Sequence, residues 1–199
     1  VEGHSLTVSQ QSERLIANWS TFNIGSDAAV RFQQPGASSI ALNRILDQNP
    51  SQIFGTLSAN GRVFLLNPSG IVFGASARVD VGGLVASSLN LSDEDFLAGR
   101  YRFNGSGGAV VNHGMLRTAD GGYVAFVAPG VQNDGSITAP NGNVSLAAGA
   151  KVSLDFVGDS LLSFTIDQGV IDALIANQGL IKADGGAVYL SAKAADSLT

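Results

Sequence analysis

Aspartates are the side chains of this chain best suited to acid–base chemistry. Sites that cleave polysaccharides need carboxylates clustered in a groove, often with a cation and a basic residue. Asp120 and Asp184 instead occupy equivalent glycine-rich turns, and Asn141 fills the same position between them. Repetition explains these residues without catalysis, so we predict that the chain is not an enzyme. The candidates considered are Asp80, Asp120, Asp134, Asp155 and Asp184.

Metal and cofactor sites have equally weak support. The histidines, His4 and His113, are too far apart in sequence to form a ligand set of the usual spacing. The acidic run 93–95 lacks the Asp-x-Asp-x-Asp-Gly pattern of a calcium loop and indicates a solvated loop or a helix start. Glycine pairs such as Gly121-Gly122 are not followed by Lys-Ser or Lys-Thr, so they indicate turns and not phosphate loops. We predict no metal and no small-molecule cofactor.

A repeat must position all of these residues. Segments starting at Asn112, Asn133 and Asn177 each read Asn-x-Gly, short strand, glycine turn, short strand. The first interval is 133 − 112 = 21 residues, and the second is 177 − 133 = 44, or two units of 22. This period predicts an all-β fold, a right-handed parallel β-helix of about 20–22 residues per coil. At about 4.8 Å per coil, at most about nine coils would form a rod roughly 40 Å long.

The phase of the strands supports this fold. Apolar residues spaced by two lie on one face of a strand. Stacked coils would therefore place like residues above one another, and an asparagine at each turn could bond its amide to the next coil. The aligned sets are Val124, Phe126 and Ala128; Val144, Leu146 and Ala148; and Val188, Leu190 and Ala192.

Two stretches interrupt the repeat, at about 89–108 and 151–176. In the first, Ser92 is placed to cap a short helix, with Asp95 three residues later. The second predicts a hairpin of strands 152–157 and 161–166, followed by a short helix over 171–174. Because no long linker divides the chain, we predict a single domain over 1–199.

Composition excludes several classes of protein. The chain is 45% hydrophobic and 14% charged, which is too apolar for a disordered tail. Its net charge of −5, without a lysine or arginine cluster, argues against nucleic-acid binding. It contains no cysteine and no apolar run of about 18 residues. The N-terminus also lacks the pattern of a leader, so we expect that an exported form has already lost its signal peptide.

Motifs in the first hundred residues carry a family resemblance. The run Leu15–Gly25 contains Trp19, Phe22, Asn23 and Gly25, and it is followed by the stretch 30–35 and by Leu42-Asn43-Arg44-Ile45. Next come 49–55 and the stretch 60–74, which contains Asn67-Pro68-Ser69-Gly70, and Gly82–Ser87 ends the series. In this order, the motifs resemble the N-terminal two-partner-secretion domain of bacterial exoproteins, closest to the high-molecular-weight adhesin and haem-acquisition branch.

The resemblance implies roles for two sets of residues. Asn67, Pro68, Ser69, Gly70, Asn43 and Arg44 are the candidates for recognition by a transporter. Trp19, Phe22, Asn23 and Gly25 are candidates for a cap and core motif. Each set has a structural alternative, because Pro68 in the second position also suits an ordinary β-turn and buried aromatics commonly pack a core.

This chain departs from the family pattern in three places. The family's Asn-Pro-Asn-Gly appears as Asn67-Pro68-Ser69-Gly70, and we expect the turn to survive because serine also bonds locally. A second family motif, Asn-Pro-Asn-Leu, is absent. The N-terminal cap looks incomplete, since about 14 residues precede the signature that contains Trp19.

The implied function is that of a secretion signal and folding nucleus. Such domains pass through the periplasm, where an outer-membrane transporter with POTRA domains recognises them, and the exoprotein is then secreted or held at the cell surface. Two other functions remain open: an adhesion module that itself binds glycan or a host-surface ligand, and a carbohydrate-active enzyme. We expect a monomer.

Overall fold

The computed structural model describes residues 4–195, which wind into seven stacked coils of parallel β-strands. Each complete coil passes through sheet A, then sheet B, then sheet C, and returns one strand further along the rod. This architecture confirms the predicted parallel β-helix. Parallel β-connections are almost always right-handed, which is the hand that the sequence analysis predicts for this rod.

The regular elements are short, because each coil turns a corner after a few residues. In chain order they are β1 (Ser5–Ser9), β2 (Arg14–Trp19), β3 (Ala29–Gln33), β4 (Ile40–Ile45), β5 (Ser51–Ile53), β6 (Thr56–Ala59), β7 (Arg62–Leu66), β8 (Ile71–Phe73), β9 (Arg78–Val81), β10 (Gly83–Ser87), α1 (Asp93–Leu97), β11 (Tyr101–Asn104), β12 (Val110–Asn112), β13 (Met115–Thr118), β14 (Tyr123–Ala128), β15 (Gly130–Asn133), β16 (Ser136–Thr138), β17 (Asn143–Ala148), β18 (Lys151–Val157), β19 (Ser160–Gln168), β20 (Leu174–Asn177), β21 (Leu180–Lys182) and β22 (Val188–Ala192).

Three parallel sheets form the sides of the rod. Sheet A has the order β1-β3-β6-β9-β13-β16-β21, and sheet B has the order β2-β4-β7-β10-β14-β17-β22. Sheet C has the order β5-β8-β12-β15-β20. Coil 1 holds β1 and β2, coil 2 β3–β5, coil 3 β6–β8, coil 4 β9, β10 and β12, coil 5 β13–β15, coil 6 β16, β17 and β20, and coil 7 β21 and β22. The rod has seven coils because two excursions, after β10 and β17, take residues out of the winding.

Rows of like residues fill the interior. The pairing of β14, β17 and β22 aligns valine with valine and alanine with alanine, as the strand phase predicted. The asparagine stack is also confirmed: Asn112 Nδ2 donates to Asn133 Oδ1, and Asn133 Nδ2 donates to Asn177 Oδ1, each over 2.7 Å. These bonds satisfy amides that would be costly to bury unpaired.

Glycines let the coils approach closely at the corner between sheets A and B. A Cβ placed on Gly122, Gly142 or Gly186 would collide with the carbonyl oxygen of the glycine one coil earlier. Gly82 is stacked on Gly61 in the same way, with 2.8 Å between the built Cβ and the Gly61 oxygen. The glycine pairs are therefore coil turns, as predicted, and the stacked member of each pair leaves no room for a side chain.

The two excursions build one layer on the outer face of sheet B. Helix α1 has Ser92 as its N-cap, whose hydroxyl accepts from the Asp95 amide over 3.1 Å, as predicted. The predicted hairpin is also present as β18 and β19, and β11 joins it in an antiparallel sheet of order β11-β18-β19. A second apolar core, including Phe64, Phe96 and Tyr123, fills the space between this layer and sheet B.

The short helix predicted over 171–174 is wrong. Residues 171–172 form a turn, with Asp172 at a positive φ of 61°, and Leu174 already begins β20. The register of β20 against β15 explains the difference, because Ile175 must pair with Val131 for coil 6 to close. Tertiary pairing thus overrides a weak local preference.

No helix within 4–195 has the length and apolar character that crossing a bilayer would require.

Candidate functional site

The turn 67–70 connects sheet B to sheet C in coil 3. The Gly70 amide donates to the Asn67 carbonyl over 2.9 Å, and the Ser69 amide donates to Asn67 Oδ1 over 2.9 Å. Asn67 therefore closes the turn with both its backbone and its side chain, while Pro68 presets the second position. Gly70 has a φ of 108°, a conformation that favours glycine.

The same turn is held from both neighbouring coils. Asn67 Nδ2 donates to the Asn49 carbonyl over 3.1 Å and to Ser51 Oγ over 3.0 Å, both in coil 2. The Ser69 hydroxyl donates to the Asp47 carbonyl over 3.0 Å, which shows how serine serves in this position. On the other side, the Gly108 amide donates to the Pro68 carbonyl over 2.8 Å. Asn67 is buried, whereas the Pro68 side chain is exposed.

Asn43 lies inside the rod, on the inner face of β4. Its Oδ1 accepts from Trp19 Nε1 over 2.9 Å, and its Nδ2 donates to the carbonyls of Ala41 and Phe64 over 3.2 and 3.3 Å. One buried amide thus links coils 1, 2 and 3. Because it is fully enclosed, Asn43 cannot contact another protein in the folded state.

Arg44 points the other way, towards the layer on sheet B. Its Nη2 lies 2.7 Å from Asp93 Oδ1 and donates to the Leu91 carbonyl over 2.7 Å. Both partners belong to the segment that enters α1. Arg44 therefore fastens the start of the helix to coil 2.

The candidate cap and core residues, Trp19, Phe22, Asn23 and Gly25, lie in coil 1. Trp19 and Phe22 meet edge to face with centroids 5.3 Å apart, and Phe22 is buried. Asn23 Oδ1 accepts from the Gln52 amide over 2.8 Å, which ties coil 1 to coil 2. A Cβ on Gly25 would meet only Asp27 Oδ1 at 3.7 Å, so this position has room for a side chain. The close approach is instead at Gly55, because a Cβ built on Gly55 would collide with the Gly25 carbonyl oxygen.

The predicted residues therefore separate into three places. Trp19, Phe22 and Asn43 meet in the interior, and Asn23 ties the end of coil 1 to coil 2. The 67–70 turn lies at the corner between sheets B and C, and Arg44 lies on the outer face of sheet B. They share the first three coils but do not form one cleft.

Sequence reasoning missed a buried pair of glutamines at the corner between sheets A and B. Gln34 Nε2 donates to Gln10 Oε1 over 3.0 Å, and Gln34 Oε1 accepts from the Gly61 amide over 3.0 Å. Val30, Phe32 and Gln34 alternate onto the same buried face, but the polar side chain of Gln34 gave no reason to expect it there. The 24-residue separation of Gln10 and Gln34, close to one coil, is the signal that could have revealed the pair.

Asp120 and Asp134 each bond a side chain of a neighbouring coil. Asn141 Nδ2 donates to Asp120 Oδ1 over 2.7 Å, so this aspartate is held in a turn stack that keeps it apart from Asp184. His113 Nδ1 lies 3.2 Å from Asp134 Oδ2. Arg100 bonds Asp95 over 2.6 Å, and this hydrogen bond raises the pKa of the guanidinium above its ordinary value. Within residues 4–195, no three metal-ligating side chains come together.

Known proteins match almost the whole chain. The TPS secretion domain family model matches residues 2–199. A "Heme/hemopexin-binding protein" of Haemophilus influenzae strain Rd is 33% identical over 209 residues, which covers 96% of this chain and 22% of that protein. A second protein of that name from Haemophilus influenzae is 37% identical over 98 residues, covering 49% of this chain and 11% of its own length. This chain thus spans about a fifth or less of the curated relatives that it matches.

A solved structure supports the same assignment. The crystal structure of the HMW1 secretion domain from Haemophilus influenzae superposes with a TM-score of 0.85 at 30% identity, covering 96% of this chain and 54% of that one. Fold, motif order and a match over 96% of this chain therefore agree with the resemblance found in the first hundred residues. This chain belongs to the TPS secretion domain family.

Proposed function

We propose that this domain directs a longer exoprotein through a cognate outer-membrane transporter and then nucleates the folding of its β-helix. TPS exoproteins are secreted or surface-exposed, and TPS domains work with an outer-membrane transporter. The observation that carries the proposal is the match of the TPS family model over 2–199. The intact Asn-Pro-Ser-Gly turn adds to it.

The proposed route starts in the periplasm, after removal of a signal peptide. There the POTRA domains of the transporter recognise the chain, and strand addition to an open edge is one way to bind it. Pro68 is the most accessible part of the 67–70 turn and therefore the best candidate for direct contact in a folded domain. Asn67 acts by holding the turn in shape. We propose that the domain is monomeric during this process.

Coil 7 supports the nucleation part of the proposal. Val188 and Leu190 continue the interior rows of sheet B yet remain 41% and 46% exposed. A strand pairing with β22 as β22 pairs with β17 would extend these rows and bury both side chains. Growth on such an edge replaces slow non-local pairing by the addition of one coil at a time.

Co-expression with and without the cognate transporter tests export. We expect the domain in the culture medium only when the transporter is present, as measured by immunoblot of medium and periplasm. Asn67→Ala should lower the exported amount, while Asn49→Ala, in the exposed neighbouring turn, should leave it near the original level. Equal amounts of the domain in the medium with and without the transporter would contradict the proposal.

We also propose that the domain is neither an enzyme nor a haem site. Asp120 is bonded to Asn141 instead of facing a second carboxylate, which supports the absence of glycan-cleaving chemistry. The relatives are named for binding heme and hemopexin, and we assign any such activity of the longer protein to regions outside these 199 residues. Titrating the isolated domain with haem and following the Soret band tests this, and saturable binding would contradict it.

A further inference from the structure

One outward-facing row of sheet B connects successive coils to the layer that covers it. The strand register aligns Arg14, Ile40, Arg62 and Gly83 along the rod, and Tyr123 and Asn143 continue the line. Four of these residues contact the covering layer. We call them the fastening row: Arg14, Arg62, Tyr123 and Asn143.

Arg62 makes the longest connection in sequence. Its Nη2 lies 2.7 Å from Asp159 Oδ1, at the tip of the β18–β19 hairpin, and the separation is 159 − 62 = 97 residues. The Arg62 side chain is only 8% exposed, whereas Asp159 is 68% exposed. An arginine so enclosed differs from an ordinary surface ion pair, because losing its partner leaves a buried cation uncompensated.

Tyr123 fills the space between Arg62 and the hairpin. Its ring lies over Gly83, where a Cβ would come within 2.9 Å of the ring atoms, and it meets Phe156 of β18 edge to face at 5.0 Å. Its hydroxyl is buried without a hydrogen-bond partner among the described residues. Burial raises the pKa of Tyr123, and the positive charge of Arg62 opposes part of that rise.

The remaining contacts come from both ends of the row. Asn143 Nδ2 donates to the Leu161 carbonyl at the start of β19. Arg14 donates to the Phe96 carbonyl over 2.7 Å and to the Tyr101 hydroxyl over 3.1 Å. The surface on which the hairpin docks thus consists of Arg62, Tyr123 and Asn143, which belong to coils 3, 5 and 6. This surface is complete only when these coils are stacked.

We propose that Arg62 and Asp159 are positioning residues that make docking of the β18–β19 hairpin depend on prior stacking of the sheet B strands of coils 3 to 6. The docked hairpin then covers these strands from outside the rod. This inference deepens the proposed nucleation function, since the covered coils are the nucleus to which later coils would add. In a β-helix without such a layer, each coil contacts only its neighbours.

Hydrogen exchange of the purified 199-residue chain under native conditions tests the coupling. Asp159→Asn should reduce the protection of hairpin amides, 151–168, by at least about tenfold while β4 and β7 stay near their original protection. Asp159→Glu, which keeps the carboxylate, should retain most of it. Asp155→Asn is the matched control, because Asp155 is exposed on the same hairpin and, within residues 4–195, its carboxylate accepts a side-chain hydrogen bond only from Ser163.

Two outcomes would overturn the proposal. Equal protection in Asp159→Asn and Asp155→Asn would show that the ion pair does not position the hairpin. A uniform loss over the hairpin, β4 and β7 would show that the pair adds only to global stability. Circular dichroism of each variant verifies that the fold is retained.

Pulse-labelling during refolding of the unmodified chain tests the order. Amides of β7 and β14 should become protected before those of β18 and β19. Protection of the hairpin before β7 would overturn the proposed order. No transporter is involved in these measurements, so they can fail while transporter-dependent export holds, and export can fail while they succeed.

Discussion

The same inward position of sheet C is filled differently in the two halves of the rod. Coils 1 to 3 place Ile24, Ile53 and Phe73 there, and coils 4 to 6 place Asn112, Asn133 and Asn177 in register with them. The first half is apolar at this row, whereas the second half carries a continuous amide stack.

Buried amides in the first half are spread over several rows. Gln34, Asn43 and Asn67 lie at three different places, and each bonds a different set of partners in adjacent coils. The comparison teaches that a β-helix can tie its coils together either by repeating one bond or by using several unrelated ones. Only the repeated bond creates a sequence period.

The corner glycines provide the largest test of this contrast. Gly142→Ala should destabilise the domain by at least about 3 kcal/mol, because the new methyl group meets the backbone of Gly122, which cannot rotate away. Gly25→Ala, in the irregular half, should leave stability unchanged or raise it by about 0.5 kcal/mol. Urea unfolding of both variants measures the difference, and a similar loss in both would remove the distinction.

The asparagine stack provides the next largest effect. Asn133→Ile imitates the row of coils 1 to 3 and should cost about 2 kcal/mol, because Asn112 Nδ2 loses its acceptor and Asn177 Oδ1 loses its donor. The triple replacement of Asn112, Asn133 and Asn177 by isoleucine should cost less than the sum of the three single changes. Additive losses in urea unfolding would mean that the amides act independently.

Asn67 provides a test of hydrogen bonds between coils that belong to no repeated row. Asn67→Ala removes the side-chain bonds to Ser69, Asn49 and Ser51 and should lower the free energy of unfolding by about 2 kcal/mol. Asn49→Ala is the control, since its backbone carbonyl still accepts a bond and its side chain is exposed. If the two variants have the same unfolding midpoint, the turn does not depend on the Asn67 amide.

Ser69 provides the smallest effect. Ser69→Ala loses the bond to the Asp47 carbonyl and should cost about 1 kcal/mol. Ser69→Asn, which restores the residue of the related motif, should stay within about 0.5 kcal/mol of the original protein because asparagine also donates locally. A thermal melt that ranks asparagine below alanine would contradict this interpretation of the turn.

Most of the second half could be predicted from its own residues. The Asn-x-Gly units, the valine and alanine rows and the Ser92 cap are local patterns, and the structure confirms each of them. The helix predicted over 171–174 failed because pairing of β20 with β15 outweighs local preference. In the first half the motifs indicated a family but did not show that Asn43 faces inward or that Gly25 has free space.

Local residue patterns were enough to predict the coil period, the residues of the interior rows, the glycine corners and the two excursions. These features depend on side-chain alternation and turn chemistry within a few residues, which a linear pattern records. No local pattern indicated that β11 joins the β18–β19 hairpin, that Arg62 reaches Asp159, or that Trp19 donates to Asn43. Such contacts join residues from different coils, and their geometry exists only after the coils have stacked.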